Sequence, residues 1–213
     1  IGIILTDYFP RSTKRGGAWM TNFVNQEIVD GVETRPVIVN VGNFAKPTAD
    51  KPSLLSLDNV ETLFHEFGHA LHGLLSQCTY KSVSGTSVAR DFVELPSQIM
   101  ENWAFQKEVL ADYARHYQTG EVIPDSLVAK IEAAANFNQG FMTTELAAAA
   151  ILDMKWHELT SAEGLDPMAF EAQACAEMGL IDEIIPRYRS TYFAHIFSGG
   201  YSAGYYSYLW AEV

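Results

Sequence analysis

Two histidines and a glutamate stand within one short apolar stretch of the chain. His65, Glu66 and His69 form the pattern His-Glu-Phe-Gly-His. Residues four apart on an α-helix lie on one face, so the two imidazoles can share one metal ion. Glu66, beside the first histidine, then reaches a water on the metal rather than the metal itself. The pattern predicts a zinc hydrolase with one zinc ion.

A catalytic zinc takes three protein ligands and leaves one position for water, so a third ligand must be found. His72 returns to nearly the same helix face as His65. Seven residues rise about 10.5 Å along a helix, however, and ligand atoms must all lie about 2.0–2.2 Å from one zinc. This distance excludes His72. The longer pattern with a third histidine six residues after His69 also fails, because that position is Leu75.

A stripe of polar residues in segment 89–103 offers a carboxylate instead. Asp91, Glu94, Gln98 and Glu101 follow one another at spacings of three, four and three, which on a helix makes one face. Spacing alone leaves Glu94 and Glu101 as alternatives for the ligand, with Glu94 more central. Asp91 and Gln98, one turn to either side of Glu94, are candidates for side chains that orient the imidazoles.

The elements that must position these residues are mainly helices. Asp58 and Glu61 are predicted to cap the helix that carries the histidines. Gly68 inside that helix costs roughly 1 kcal/mol relative to alanine, which indicates close approach of another segment. One further helix is predicted over 87–117, with a bend at Pro96 because proline removes a backbone donor. The large apolar residues at helical spacing in the first helix are expected to bury one side: Val60, Leu63, Phe64, Phe67, Leu71, Leu74 and Leu75.

A small sheet is predicted near the N-terminus, with strands over 2–8 and 35–44 and a short return between them. The break at Gly31 is typical of a hairpin-like or a meandering pair. Further helices are predicted over 125–136, 143–160 and 167–178, with Gly140 interrupting. The fold class is therefore mainly α with a small β-sheet. We expect one catalytic domain over 1–213, with the sheet in 1–50 and the helices in 54–213.

The amino-acid composition argues against several classes of function. The 213 residues carry a net charge of −12, which argues against nucleic acid as a partner. No run of about 18 apolar residues occurs, so no membrane span is expected. Two distant cysteines, Cys78 and Cys175, predict buried thiols rather than a bridge, and mildly favour a cytoplasmic location. Both ends of the sequence look cut, which predicts a piece of a longer polypeptide.

Three blocks together resemble the thimet oligopeptidase family of zinc metallopeptidases, which includes bacterial oligopeptidases and peptidyl-dipeptidases. The blocks are HEFGHALHGLL, SGTSVARDFVELPSQ and FAHIFSGGYSAGYYSYLW, supported upstream by KRGGAWM and NVGNF. The resemblance covers nearly the whole chain. It implies a zincin-like catalytic fragment of a mostly helical peptidase, whose deep cleft admits short peptides.

The resemblance also implies roles for individual residues. It selects Glu94 as the third zinc ligand beside His65 and His69, and Glu66 as the base. It implies that His195, Tyr201 and Tyr208 line the substrate cleft, with Tyr208 the main candidate to hydrogen-bond the reaction intermediate. The loop at Gly199 and Gly200 is expected to contact substrate and to move as the cleft closes.

The sequence thus predicts zinc-dependent hydrolysis of peptide bonds in short peptides. The run IFSGGYSAGYYSYLW resembles the peptidyl-dipeptidases slightly more closely, which favours an enzyme that releases dipeptides from the C-terminus of its substrate. An endo-acting oligopeptidase of the same family is the alternative. A structural zinc module is the alternative from another class, and it would require four protein ligands with no open position.

Overall fold

The computed structural model describes all 213 residues as a mainly α protein with a small sheet near the N-terminus, as predicted. The chain divides into two compact units. Unit 1 comprises Ile1–Ala89 and Val93–Val128, and unit 2 comprises Arg90–Phe92 and Ala129–Val213. Unit 1 holds all the strands and the first three helices, so it contains the whole histidine motif.

Five strands form two sheets in unit 1: β1 (Ile3–Asp7), β2 (Trp19–Val24), β3 (Glu27–Val29), β4 (Val32–Thr34) and β5 (Val37–Val41). The larger sheet has the order β1-β5-β2, with β1 parallel and β2 antiparallel to β5. The central strand β5 is the most buried, and its side chain Ile38 is fully enclosed. This sheet supports the helix that carries the histidines.

A hairpin turns at Gly31, as predicted, but it joins two strands that the sequence did not predict. Strands β3 and β4 pair through the two-residue turn Asp30-Gly31, in which both residues have positive φ (51° and 77°). Such a turn matches the right-handed twist of a two-strand ribbon, and glycine adopts its conformation without steric cost. The two long predicted strands, now β1 and β5, do not form a hairpin, because the intervening strands make a crossover that leaves them parallel.

Eight α-helices follow the strands: α1 (Leu57–Leu74), α2 (Leu95–Ala104), α3 (Lys107–Tyr113), α4 (Asp125–Ala134), α5 (Gln139–His157), α6 (Pro167–Glu177), α7 (Ala194–Phe197) and α8 (Ser207–Glu212). None of them is both long and apolar enough to cross a bilayer. The helices predicted over 125–136, 143–160 and 167–178 correspond to α4, α5 and α6. Gly140 does not interrupt α5 but lies in its first turn.

The predicted helix over 87–117 is wrong in its extent. Residues before Leu95 form turns, and the helical conformation is interrupted again between α2 and α3. Pro96 does not bend a long helix. It lies in the first turn of α2, where a backbone N–H would have no acceptor within the helix, so proline removes no hydrogen bond there. Its fixed φ also suits the helix.

Small residues, rather than the large apolar ones, form the buried face of α1. Besides Glu66, its buried members are Gly68, Ala70 and Gly73, whereas Phe67 is 39% exposed. The expected apolar face is buried only in part: Leu63, Phe64, Leu71 and Leu74 are half-buried, whereas Phe67 and Leu75 are exposed. The sheet and α2 both approach the α1 backbone closely, and only small side chains leave room for that.

Unit 2 has its own core, built on the middle of α5 and on the aromatic segment near the C-terminus. Ala149 and Ala150 of α5 pack with Phe193, Ile196 and Tyr205. Alanines allow the bulky rings to lie against the helix backbone, so the aromatic segment is fixed mainly by packing against α5.

Candidate metal centre

Helix α1 places both histidines of the motif side by side. The helix begins earlier than predicted, because Ser56 is its N-cap and accepts a hydrogen bond from the backbone N–H of Asn59 at 3.2 Å. Asp58 lies in the first turn, where its charge suits the helix dipole. The rings of His65 and His69 then stand edge to face, with centroids 4.9 Å apart.

Glu94 immediately precedes α2, and its side chain extends to these histidines. Gly68 permits the approach, because a Cβ at this position would lie 2.5 Å from the carbonyl oxygen of Pro96 and 2.6 Å from Cα of Ser97. The close approach that the sequence indicated at Gly68 is therefore present, and its partner is the first turn of α2. The backbone contact brings Glu94 over the histidine face of α1.

The three side chains converge on one point. Oε2 of Glu94 lies 3.3 Å from Nε2 of His65 and 3.2 Å from Nε2 of His69. Zinc bonds of about 2.0–2.2 Å put two ligand atoms of a tetrahedral site roughly 3.3–3.6 Å apart. The separations of 3.2 and 3.3 Å lie within about 0.1 Å of this range, and the donor set of two imidazoles and one carboxylate is one that zinc takes in catalytic sites. The residues present fit the ion.

Glu101 engages His65 on the other side of the ring. Its Oε1 lies 2.5 Å from Nδ1 of His65, which leaves Nε2 to face Glu94. Burial alone would lower the pKa of His65, but hydrogen bonds that its ring donates to the carboxylates of Glu101 and Glu94 outweigh burial and raise the pKa to about 10. Glu101 is thus arranged to orient a ligand, since a carboxylate on the second ring nitrogen fixes the tautomer and ring direction of a metal-binding histidine.

Ser97 orients Glu94 in the same way. The Ser97 hydroxyl, fully buried, lies 2.8 Å from the main-chain oxygen of Glu94 and 3.0 Å from its Oε2. A hydroxyl on the carboxylate restricts its rotation and holds one oxygen toward the histidines. Sequence reasoning missed this contact, although a serine three residues after a carboxylate at a helix start is a recognisable signal.

Glu66 lies on the side of α1 next to the histidine face. It is only 7% exposed, and its Oε2 is buried without a protein hydrogen-bond partner. Burial raises the pKa of Glu66 against the opposing attraction of His65 and His69. A buried carboxylate with a raised pKa and one unused oxygen, beside a candidate metal centre, has the properties of a proton acceptor.

His72 takes no part in the metal cluster, as its helical rise predicted. It lines an apolar groove of about 490 Å³ with neighbours that include Leu71, Pro96 and Met100. Burial lowers the pKa of His72, and the nearby His69 lowers it further. Its imidazole therefore favours the neutral form in this groove.

Asp91 and Gln98 are both predicted to orient the imidazoles, and the structure places them differently. Asp91 precedes α2 and belongs to unit 2, where its Oδ2 accepts a hydrogen bond from the hydroxyl of Tyr206 at 3.1 Å. The predicted single helical stripe fails because α2 begins only at Leu95. Glu101, considered above as a ligand, contacts Nδ1 of His65 instead. The role of Gln98, one turn into α2, stays a prediction.

The other predicted site residues cluster in unit 2. The rings of Tyr201 and Tyr208 stack with centroids 5.4 Å apart and planes 13° from parallel. His195 lies beside Tyr201, with ring centroids 6.1 Å apart, and its main-chain oxygen accepts from the Tyr201 N–H. The segment between these tyrosines is turns rather than helix, so their contact arises from the turn and not from a seven-residue helical spacing.

The glycine pair lies in the turn between α7 and Tyr201. Gly200 has a φ of +83°, and the guanidinium of Arg90 lies 4.7 Å above the centre of the Tyr201 ring. That arrangement is a cation–π contact within unit 2. Contact of Gly199 and Gly200 with substrate stays a prediction.

The sequence pattern of peptidase family M3 matches residues 1–213, the whole of the chain. The chain belongs to peptidase family M3. This confirms the resemblance to the thimet oligopeptidase family. Proteins named oligopeptidase A and dipeptidyl carboxypeptidase are also similar to the chain. A metallopeptidase site is the expectation for this family, and the cluster of His65, His69 and Glu94 is the candidate for it.

Three M3 relatives illustrate the similarity. The chain is 52% identical over 215 residues to "Dipeptidyl carboxypeptidase" of Escherichia coli strain K12, which covers 100% of the chain and 31% of the relative. The same-named protein of Salmonella typhimurium is 52% identical over 97% of the chain and 30% of its own length. "Oligopeptidase A" of Escherichia coli is 41% identical over 100% of the chain and 32% of its length. The chain spans about a third of these relatives.

Proposed function

We propose that the chain forms the zinc-binding catalytic part of an M3 peptidase that hydrolyses peptide bonds in short peptides. One observation carries the proposal: two imidazoles and a carboxylate converge at separations of 3.2–3.3 Å around Glu94 Oε2, beside the buried, unpartnered oxygen of Glu66. Three ligands leave one position of a tetrahedral zinc open, as in catalytic sites. A structural zinc module would need a fourth protein ligand instead.

His65 and His69, through their Nε2 atoms, and Glu94, through Oε2, would hold the zinc ion. When bound there, zinc polarises the scissile carbonyl and lowers the pKa of a water toward 7. Glu101 and Ser97 keep two of the three ligands oriented through the contacts described above. This support restricts the ligands to the geometry that the chemistry needs.

Glu66 would take the proton of the attacking water and pass it to the leaving amine. Its burial suits this work, because an acceptor whose pKa is raised toward the working pH both accepts and returns a proton readily. Tyr208 would donate a hydrogen bond to the oxyanion, with His195 and Tyr201 lining the substrate position. These three roles rest on the family resemblance of the aromatic segment.

We further propose that the whole protein is mostly helical with a deep, zincin-like cleft, so that its substrates are short peptides rather than folded proteins. Among the modes of cleavage, release of dipeptides from the C-terminus is favoured. The chain shares 52% identity with proteins named dipeptidyl carboxypeptidase and 41% with one named oligopeptidase A. Endo-acting cleavage is the second candidate, supported by the latter relative.

Product analysis on the full-length protein separates the candidates. An N-terminally blocked pentapeptide is incubated with the zinc-loaded protein, and products are identified by mass spectrometry over time. Serial release of C-terminal dipeptides supports the peptidyl-dipeptidase. A first cut at an internal bond without dipeptide release supports the endo-acting candidate. Absence of chelator-sensitive cleavage from a protein that binds zinc stoichiometrically would overturn the proposal.

A further inference from the structure

A buried aspartate of α5 contacts the turn that carries the predicted substrate-side tyrosines. Asp153 is fully enclosed, with 0% of its surface exposed. Its Oδ1 accepts a hydrogen bond from the backbone N–H of Ala203 at 2.9 Å, and its Oδ2 accepts from the N–H of Tyr205 at 2.9 Å. Each carboxylate oxygen therefore holds one N–H of the same short turn.

His157, one helical turn along α5, completes the arrangement. Its Nδ1 lies 2.8 Å from Oδ1 of Asp153 and 2.9 Å from the main-chain oxygen of the same residue. His157 is partly exposed whereas Asp153 is not, so the histidine links a buried carboxylate to the surface. Hydrogen bonds to ionised groups are about twice as strong as those between neutral groups, which suits Asp153 as an anchor.

The turn needs such an anchor because its backbone is unfavourable for its sequence. Ala203 has a φ of +51°, in the left-handed region that costs a residue with a Cβ roughly 1–2 kcal/mol. A conformation of this kind persists only where surrounding contacts determine it. The two hydrogen bonds to Asp153 flank Gly204, and a third from the N–H of Gly204 to the carbonyl oxygen of Tyr201 closes the turn.

We propose that Asp153 is a positioning residue that fixes this turn and thereby the direction of Tyr201 and Tyr208. The inference rests on the proposed function, because those tyrosines matter to catalysis only if they face the substrate. Few contacts connect Asp153 to these two tyrosines. Tyr205, held through its own N–H, packs its ring 5.0 Å from that of Tyr208, which in turn stacks on Tyr201.

The sequence itself contains a signal for this role of Asp153. Asp153 is the single acidic residue within the apolar run LAAAAILDM, and a charge in such a run must find buried partners. Neither the metal cluster nor the packing of α5 requires a carboxylate at that position. The turn at 203–205 accounts for it.

The test compares Asp153→Asn in the full-length protein with the matched control Glu158→Gln, which changes an exposed carboxylate just beyond α5 in the same way. Asn cannot accept from both N–H groups, so hydrogen exchange in peptides covering 198–208 should rise about tenfold in Asp153→Asn alone. The kcat of zinc-loaded protein should fall about tenfold to hundredfold, with zinc content and KM nearly unchanged. His157→Gln, at a partly exposed position, should show smaller changes of the same kind.

A double-mutant cycle with Tyr208→Phe distinguishes positioning from general damage. If Asp153 acts through Tyr208, Asp153→Asn should cost little further activity once the Tyr208 hydroxyl is gone. Losses that multiply fully, or exchange in 198–208 that stays unchanged, would overturn the inference. A wild-type protein without peptidase activity would refute the proposed function instead, while the exchange measurement still decides whether Asp153 fixes the turn.

Discussion

Oε1 of Glu101 lies 2.5 Å from Nδ1 of His65, on the side of the ring opposite Glu94. Glu101→Gln should therefore weaken zinc binding about tenfold to hundredfold, because an amide holds the imidazole less firmly and makes it a poorer ligand. Competition with a chelator of known affinity measures the change. Glu108→Gln on α3, an exposed position, serves as the control and should leave the affinity unchanged. Equal affinities for Glu101→Gln and wild type would contradict the assigned role.

Ser97→Ala tests the support of the third ligand. The Ser97 hydroxyl contacts Oε2 of Glu94 at 3.0 Å inside a fully buried site, so its loss frees the carboxylate to rotate. We expect zinc affinity to fall about tenfold. Ser126→Ala, at an exposed position in the first turn of α4, should have no effect on the same titration. A wild-type affinity for Ser97→Ala would show that backbone geometry alone holds Glu94.

Gly68→Ala tests whether close packing of α1 against α2 assembles the centre. The new methyl group would meet the backbone of Pro96 and Ser97 at 2.5 and 2.6 Å, so the two elements must separate. We expect a loss of about 1–3 kcal/mol in the free energy of unfolding and weaker zinc binding.

Gly140→Ala is the matched control for Gly68→Ala. A Cβ at Gly140, in the first turn of α5, has open space around it. Alanine is favoured over glycine in a helix by about 0.5–1 kcal/mol, so this variant should be unchanged or slightly more stable. Denaturant unfolding of both variants makes the comparison. A Gly68→Ala protein as stable and as metal-competent as Gly140→Ala would refute the close-packing account.

Glu171 should make unit 2 sensitive to acid. Burial alone would raise the pKa of Glu171, but the Ser190 N–H and the Arg189 guanidinium outweigh it and hold the pKa below its ordinary value of 4.5. A lowered folded-state pKa means stability that is present above about pH 4.5 and is lost as the pH falls through the folded-state value.

Glu171→Gln weakens the hydrogen bonds that the carboxylate accepts from Arg189 and Ser190, so it should cost about 2 kcal/mol of unfolding free energy at pH 7, and less as the pH drops below 4.5. Urea unfolding at several pH values, followed by a probe in unit 2, measures the difference. Glu177→Gln, which removes an exposed partner of Lys155, should cost much less at every pH. A Glu171→Gln penalty that does not shrink toward acid pH would argue against the ionised carboxylate as its source.

Local periodicity predicted the elements better than the contacts between them. The spacing of His65 and His69 is enough to place two imidazoles on one helix face, because that relation lies within a single helix. The position of the Glu94 carboxylate depends on where α2 begins and on how closely α2 approaches Gly68. Spacing left Glu94 and Glu101 undecided, because the choice is made by packing between two helices.

The sheet and the buried polar contacts show the same limit. Parallel pairing of β1 with β5 is a long-range contact that no local turn signal encodes, whereas the Asp30-Gly31 turn encodes β3–β4. Asp153 and Ser97 are single polar residues whose partners lie on backbone or side-chain atoms that only the fold brings near. Their burial could be suspected from the sequence, but their partners could not.

The most direct test of the central claim is Glu66→Gln in the full-length, zinc-loaded protein. Gln keeps the shape of the buried side chain but cannot take a proton, so zinc content should stay at one ion while kcat falls about 10²–10⁴-fold. Glu108→Gln, at an exposed position on α3, should retain wild-type zinc content and kcat. Turnover by Glu66→Gln close to that of wild type, with zinc still bound, would contradict the assignment of Glu66 as the base.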